Sequence, residues 1–382
     1  MKKILAILLA GLLTLTLASC GDKKDENNND DKESSVIEQN YIEETSSKGK
    51  FEYALNSEGD YEIIKYEPYE VTTADITLPN EVNGRDIVGI AENAFKAENS
   101  IKSVTVPSTY KYISDFAFYD CDSLTSVSLP DTLESIGKGA FMSCDALASF
   151  KVPAGVKEIS VSTFESCKAL KSIDLSNVTA IQKTAFFNCS ALESIVVSDK
   201  IEYATKEAFY GCDALVYNVE GELNYLGNDA NKTVLLVSSQ SLNITECVVS
   251  ATTKVIADAA FNNCQYLTAI TLSDSVKVIN GTSFVGCTEL AYNKSENGLY
   301  LGTEANPYMA LIELDISTVE DFKLNKDTKI ITETAFAKCT ALEDISFNGT
   351  EAEWQAIIKP ADWNGDLTVN ITCTDKIVTV LG

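Results

Sequence analysis

Residues 136–147 read IGKGAFMSCDAL, and this frame recurs throughout the chain. Counterparts of Phe141 run from Phe95 to Phe336 at intervals of 22, 23 or 52 residues. A cysteine lies three residues after eight of these nine phenylalanines, and a leucine lies three residues after each cysteine. Such periodicity is typical of a solenoid, in which each short unit covers its apolar side chains by stacking on its neighbours. The frame residues predicted to form this core are Phe118, Cys121, Phe141, Cys144, Phe164, Cys167, Phe186, Cys189, Phe209, Cys212, Phe261, Cys264, Phe284, Cys287, Phe336 and Cys339.

Each unit has room for one short strand and one turn. Residues 124–130 read LTSVSLP, in which the apolar positions follow the LxxLxL strand pattern of leucine-rich repeats. Pro130 ends the strand because it has no N–H to donate to a sheet. The three-residue spacing of Phe, Cys and Leu favours a short helical or 3-10 turn on the opposite side. The sequence therefore predicts an α/β solenoid, a curved array of about nine units of 22–23 residues.

The two intervals of 52 residues each contain an insertion of about 29 residues. Residues 215–256 resemble residues 290–331, so a larger unit is duplicated here. Alternating apolar residues between turn residues predict extra β-strands in both insertions. Tyrosine suits recognition surfaces because it combines a large apolar area with a hydroxyl group, but it also packs over β-hairpins. The candidate aromatic contacts are Tyr217, Tyr225, Tyr292 and Tyr300.

The N-terminus has the pattern of a secretory signal. Lys2 and Lys3 precede an apolar run that ends at Leu17, and this run is shorter than the roughly 20 residues that span a bilayer. We therefore predict a signal peptide at residues 1–19. The Leu-Ala-Ser-Cys ending at Cys20 resembles the bacterial lipobox, which implies lipidation of Cys20 and membrane attachment through this anchor only. Residues 20–50, rich in Asp, Asn, Lys and Glu, are predicted to form a flexible tether.

Composition excludes several classes of function. The chain has 30 basic and 56 acidic residues, a net charge of −26, whereas nucleic-acid binders need Lys and Arg to replace phosphate counterions. It has no histidine, so a Ser-His-Asp relay and an HExxH zinc site are both absent. We predict that the protein is not an enzyme, that it uses neither cofactor nor metal, and that nucleic acid is not its partner.

The repeat frame, Ile-x₄-Phe-x₂-Cys-x₂-Leu-x₂-Ile-x-Leu-Pro, resembles that of the BspA-like leucine-rich-repeat family of bacterial surface proteins. The resemblance covers roughly residues 51–382, and the tail around Trp354 and Trp363 is similar to a terminal cap of such proteins. It implies an N-terminal β cap at 51–89, a solenoid at 90–348 and a C-terminal cap at 349–382. It also implies adhesion to host matrix proteins or to other cells.

The strand residues that face solvent are mostly small hydroxyl side chains. They form either a solvated ladder or a docking surface for a protein or a glycan, since solenoids often bind through this sheet. The candidate binding residues are Ser103, Thr105, Ser126, Ser128, Ser149, Lys151, Ser172, Asp174, Ser194 and Thr271. The repeat cysteines are predicted to be reduced and structural because they never occur as C-x₂-C pairs, with disulfides between adjacent units and metal binding as alternatives.

Together these features predict a lipid-anchored binding protein exposed on the bacterial surface. One alternative is a structural envelope component that contacts only bacterial partners. A carbohydrate-binding or carbohydrate-processing lipoprotein is another, and it would require exposed Trp and Tyr side chains on one surface.

Overall fold

The computed structural model describes residues 42–69, 74–227, 231–236 and 243–381. The predicted signal peptide, Cys20 and most of the predicted tether lie outside these described residues. Within them the chain winds as a β-solenoid of about 13 turns. The strands, in chain order, are β1 (Ile42–Thr45), β2 (Gly49–Leu55), β3 (Tyr61–Pro68), β4 (Ala74–Thr77), β5 (Glu81–Val82), β6 (Arg85–Ile90), β7 (Ile101–Thr105), β8 (Tyr112–Ile113), β9 (Ser126–Ser128), β10 (Ser135–Ile136), β11 (Phe150–Lys151), β12 (Glu158–Ile159), β13 (Ser172–Leu175), β14 (Ala180–Ile181), β15 (Ser194–Val197), β16 (Tyr203–Ala204), β17 (Asn218–Glu220), β18 (Leu223–Leu226), β19 (Val234–Leu235), β20 (Glu246–Val248), β21 (Val255–Ile256), β22 (Ala269–Thr271), β23 (Val278–Ile279), β24 (Asn293–Ser295), β25 (Gly298–Leu301), β26 (Ala310–Leu314), β27 (Asp321–Leu324), β28 (Ile330–Ile331), β29 (Asp344–Phe347), β30 (Val369–Thr372) and β31 (Ile377–Val380).

Two rows of parallel strands run along the solenoid. The first row contains the LxxLxL strands, including the sheets β4–β7–β9 and β11–β13–β15. The second row contains a two-residue strand from each turn, as in β6–β8–β10 and β12–β14–β16. Each strand pairs with the equivalent strand of the next turn, so a period of 22 or 23 residues sets the register. The strands are short because every turn must change direction at each corner.

The third side of each turn is not helical, which corrects the predicted α/β class. The N–H of Phe118 donates to the carbonyl of Ala140 in the next turn at 2.8 Å. The N–H of the following residue, Tyr119, donates to the carbonyl of Phe116 in its own turn at 3.0 Å. An α-helix would instead direct each N–H to the carbonyl four residues earlier. Alternate N–H groups therefore bond to the next turn, and those between them bond to the carbonyl three residues earlier, so no continuous helix forms. The described residues contain one α-helix, α1 (Glu351–Ala356), and one 3-10 helix (Lys206–Phe209).

The count of about nine units is also corrected, because about 13 turns are present. Counting phenylalanines misses turns that lack the Phe frame. Each insertion forms an antiparallel hairpin, β17–β18 or β24–β25, followed by a strand that joins the second row. These strands are β19, parallel to β21, and β26, parallel to β28. The predicted insertions are therefore β-structured, and each adds a turn of its own.

Stacked phenylalanines fill the centre of the solenoid. The rings of Phe95 and Phe118 lie 4.8 Å apart and nearly parallel, and those of Phe118 and Phe141 lie 5.3 Å apart at an interplanar angle of 2°. The stack continues to Phe209, where the first insertion interrupts it. Offset stacking of this kind adds to the stabilisation from apolar burial. All sixteen frame residues named from the sequence are buried.

The two ends of the solenoid are covered by different elements. At the N-terminal end β1, β2 and β3 pair antiparallel, and β3 then pairs parallel to β6. β1 and the start of β2 lie inside the segment 20–50 that the sequence assigned to the tether, because Phe51 and Tyr53 are buried and β1 pairs beside them. At the C-terminal end α1 precedes the antiparallel pair β30–β31.

Candidate functional site

The outward positions of the first strand row form a surface that we call the strand face. Inward positions alternate with outward ones along a strand. The outward side chains are mostly small and hydroxylated. Ser103 and Thr271 are half-buried. The other eight predicted residues are exposed: Thr105, Ser126, Ser128, Ser149, Lys151, Ser172, Asp174 and Ser194.

The serines of the strand face stand opposite one another in successive turns. Ser103 lies opposite Ser126 in the pair β7–β9. Ser172 likewise lies opposite Ser194 in the pair β13–β15. The ladder begins at Asp75, whose Oδ1 accepts the Ser103 hydroxyl at 2.7 Å. Asp75 does not follow from the repeat interval, because it lies 28 residues before Ser103.

Exposed valines occupy the strand face beside the hydroxyl ladder. Val196 lies opposite Asp174 and is 55% exposed. Val248 lies opposite Thr271 and is 68% exposed, and Val216, at the end of the first row before the hairpin, is 78% exposed. None of these valines is among the ten predicted binding residues. The exposure of these valines could have been predicted from the sequence, since each occupies a position that the repeat directs to solvent.

Two of the four candidate tyrosines are fully buried. Tyr225 and Tyr300 have no exposed surface, so neither can be a surface contact. The Tyr225 hydroxyl accepts the Ser250 N–H at 3.2 Å, and the Tyr300 hydroxyl accepts the Asn325 N–H at 3.3 Å. Burial raises the pKa of each tyrosine to about 12. These two side chains hold the hairpin of each insertion against the following turn.

The other two candidate tyrosines, Tyr217 and Tyr292, are half-buried and pack against the core. Burial raises the pKa of both hydroxyls. The tyrosines with more exposure are Tyr69, Tyr210 and Tyr266, at 56%, 42% and 58%, and none of them is among the four candidates. Tyr210 and Tyr266 lie in the turns of two Phe-frame units, at positions where the repeat frame does not predict a tyrosine.

The repeat cysteines form a buried ladder of hydrogen-bonded thiols. Cys144 Sγ donates to the Phe118 carbonyl, and Cys167 Sγ donates to the Phe141 carbonyl, both at 3.1 Å. Burial raises the pKa of both thiols well above the usual value, so the thiolate is disfavoured. All ten cysteines among the described residues are free thiols. The same thiol-to-carbonyl bond occurs at Cys121, Cys189, Cys212 and Cys287.

The two tryptophans belong to the C-terminal core. Trp354 and Trp363 are 1% and 4% exposed, and their rings meet edge to face at 5.5 Å. Trp363 also meets Phe336 at 5.3 Å. Since both rings are covered, neither offers a platform on which a sugar could stack.

Neither a metal cluster nor a membrane-crossing helix occurs in the described part of the chain. No three His, Cys, Asp or Glu side chains there are grouped to hold a metal ion. No helix among the same residues has the length and apolar character needed to cross a bilayer.

The repeat frame matches the BspA type leucine-rich-repeat region in six copies, at residues 88–216, 238–305 and 314–356. These segments make up more than half of the chain. The chain belongs to the BspA-type leucine-rich-repeat family. BspA-type proteins are often surface-associated.

Solved structures of other bacterial leucine-rich-repeat proteins resemble this BspA-type chain. The T. pallidum leucine-rich-repeat protein is 23% identical, over 63% of this chain and 88% of its own, with a TM-score of 0.38. A leucine-rich cell surface protein from Faecalibacterium prausnitzii is 22% identical, over 83% of this chain and 97% of its own, with a TM-score of 0.39. A protein from Bacteroides capillosus is 31% identical over 34% of this chain and 96% of its own, with a TM-score of 0.30. No curated protein matches the chain.

Proposed function

We propose that this protein is a lipid-anchored, surface-displayed binding protein whose strand face contacts a protein on another cell or in the host matrix. The observation that carries the proposal is the set of exposed valines beside the hydroxyl ladder, with Val196 55% and Val248 68% exposed. More than half of each of these side chains remains in contact with water in the free protein. A protein partner would cover them while the neighbouring hydroxyls form hydrogen bonds at the contact.

Two further features support this function. The family is often surface-associated, and Cys20 follows the lipobox-like sequence that would supply the anchor. The net charge of −26 disfavours nucleic acid as the partner, because the phosphate backbone would be repelled. The buried tryptophans remove the main support for a carbohydrate-binding role.

The test is saturable binding of the purified full-length protein, in detergent, to a panel of host matrix proteins and intact cells. Replacement of Val196 and Val248 by Glu should abolish binding, because a charge would be buried at the contact without a partner. The matched control is Val285→Glu, since Val285 is 54% exposed and lies off the strand face. Loss of binding in both variants, or in neither, would contradict a role for the strand face.

Crosslinking in intact cells separates this function from the structural alternative. An adhesin should remain accessible to added protease and crosslink to the external partner. Crosslinks confined to bacterial envelope proteins, together with protection from protease, would overturn adhesion and identify an envelope component.

A further inference from the structure

A groove of about 870 Å³ lies on the second strand row, away from the strand face. Its walls are β16 on one side and β28 with the segment around Ile358 on the other, and β23 contributes to the floor. A volume of this size is in the range of cavities that bind ligands. The groove lies between the strands that flank the two insertions, so it is a product of the duplicated unit.

The insertions create the groove by interrupting the second strand row. Among the described strands, β16 pairs with β14 only, and β23 pairs with β21 only. The inserted strand β19 takes the place beside β21, and β26 takes the equivalent place beside β28. β16 meets the following turn only at the Thr205–Asp258 bridge, and β23 has no further described strand beside it, so a recess remains between them and β28.

The floor of the groove carries larger apolar side chains than most regular turns have at the same position, where Tyr112 and Ala180 accompany two polar residues. The outward position of the second strand is occupied by Ser135 and Glu158 in two regular turns, and both are exposed. Inside the groove the same position is occupied by apolar or aromatic side chains, of which Ile358 is 39% exposed. These side chains are Tyr203, Val278, Ile330 and Ile358.

One long edge of the groove, the lysine rim, carries Lys200, Lys254 and Lys277. Lys277 N–H donates to the Lys254 carbonyl at 2.9 Å, so these two lysines occupy adjacent turns at the amino ends of their strands. Asp199 and Glu202 lie at one corner of this rim, where Lys254 Nζ donates to the Asp199 carbonyl at 3.4 Å. Lysines outnumber carboxylates along the rim.

The opposite edge, the acidic rim, carries Glu333 and Asp362, and Asp258 lies beside Glu333. A Cβ placed on Gly281 would lie 3.0 Å from Asp258 Oδ1 and 3.2 Å from Glu333 Oε2, so these two carboxylates converge there. Burial, together with Asp362 and Asp258, raises the pKa of Glu333. Lys359 also lines the groove at this edge, where its Nζ donates to two backbone carbonyls at 3.1 Å, and its single positive charge reduces the negative charge of the rim without cancelling it.

We propose that the groove binds an amphipathic α-helix of a partner protein, with its apolar face on the floor, its acidic flank on the lysine rim and its basic flank on the acidic rim. Lys254 and Asp258 are four residues apart, so the rims are separated by about 13 Å at the rise of a strand. An α-helix with side chains is about 10–12 Å wide. Rims of opposite sign select a peptide with both charges rather than a fatty acid or another uniformly apolar ligand. This site is independent of the strand-face proposal.

The probe is a synthetic peptide of about 18 residues with a leucine stripe at helical spacing, glutamates along one flank and lysines along the other. Two comparison peptides carry glutamate on both flanks or lysine on both flanks. Fluorescence anisotropy with the full chain should give the mixed peptide a Kd about tenfold lower than either comparison peptide, because only the mixed peptide matches both rims. Equal affinities for the three peptides, or no saturable binding, would overturn the proposal.

Variants of the protein test whether the peptide binds in the groove. Ile358→Glu should weaken binding of the mixed peptide at least about tenfold, whereas Val285→Glu, the same kind of substitution at an exposed apolar residue outside the groove, should not. The double variant Lys200→Glu, Lys277→Glu should change the preference to the peptide with lysine on both flanks, because both rims then become acidic. A global fold defect would weaken the binding of all three peptides alike and could not invert the order of their affinities. An unchanged preference in the double variant would overturn the assigned orientation.

Discussion

The side-chain amide of Asn280 takes the place of a missing strand beside Ala204. Asn280 Oδ1 accepts the Ala204 N–H at 3.2 Å, and Nδ2 donates to the Glu202 carbonyl at 3.2 Å. These are the groups that a neighbouring strand would satisfy in the regular turns. Asn280 is 7% exposed, so the arrangement is shielded from water. The interrupted row thereby keeps its backbone hydrogen bonds.

Asn280→Ala should lower the free energy of unfolding by about 1–3 kcal/mol, because the buried Ala204 N–H would lose its acceptor. Asn177→Ala is the control, since Asn177 is exposed. Urea unfolding followed by circular dichroism measures both variants. Equal midpoints would show that the amide does not hold β16.

Phe141→Ala should cost about 3–5 kcal/mol of stability, because it removes a fully buried ring from the middle of the stack. Phe187→Ala, a half-buried phenylalanine beside the stack, should cost clearly less. Thermal unfolding of the two variants makes the comparison. Similar losses at both positions would contradict the central role of the stack.

Tyr225→Phe should destabilise the first insertion, since the buried Ser250 N–H would lose its acceptor at a cost of about 1–3 kcal/mol. Tyr266→Phe changes an exposed tyrosine and should be neutral. Amide hydrogen exchange should show faster exchange at residues 223–226 in the Tyr225 variant only. Unchanged exchange there would mean that the hydroxyl is dispensable.

Alkaline pH should destabilise the protein through its cysteines. Burial raises the pKa of Cys121 and of Cys212 to about 12, whereas both thiols return to the ordinary value near 9.0 in the unfolded chain. Between these values the unfolded state binds fewer protons than the folded state. The free energy of unfolding should therefore fall as the pH rises, by up to about 1.4 kcal/mol per pH unit for each thiol. Below pH 9 this contribution is fully present.

Urea midpoints from about pH 8 to about pH 11 measure this slope. The variant Cys121→Ala, Cys212→Ala should have a shallower slope than the unmodified protein, and Cys20→Ala should have an unchanged slope, because the proposed thioether leaves Cys20 no thiol to ionise. An identical slope in the double variant would exclude these two thiols as its cause.

Cys20→Ser should release the protein from the membrane fraction, because the serine cannot carry the thioether-linked lipid. Cell fractionation and phase partitioning in detergent compare the variant with the unmodified chain. Cys247→Ser is the control, since Cys247 belongs to β20. Retention of the Cys20 variant in membranes would contradict lipid anchoring.

The repeat frame predicted the family, the solenoid and its buried residues because these features are local. Each unit repeats Phe, Cys and Leu at a fixed interval, and only stacking can cover them. The positions of the strand-face hydroxyls followed from the same interval combined with strand alternation. The buried state of Tyr225 and Tyr300 did not follow, because composition alone does not distinguish a packed tyrosine from an exposed one.

The sequence alone determined the period, the stacked phenylalanines and cysteines, and the place of the two insertions. Tertiary structure decided that the third side of each turn bonds to its neighbour rather than forming a helix, and that the insertions add turns and open the groove beside Asn280. The physical reason is the range of the interactions. The spacing of the apolar residues is fixed by the sequence of a single unit. The hydrogen-bond partner of each backbone N–H depends instead on which turn lies beside it.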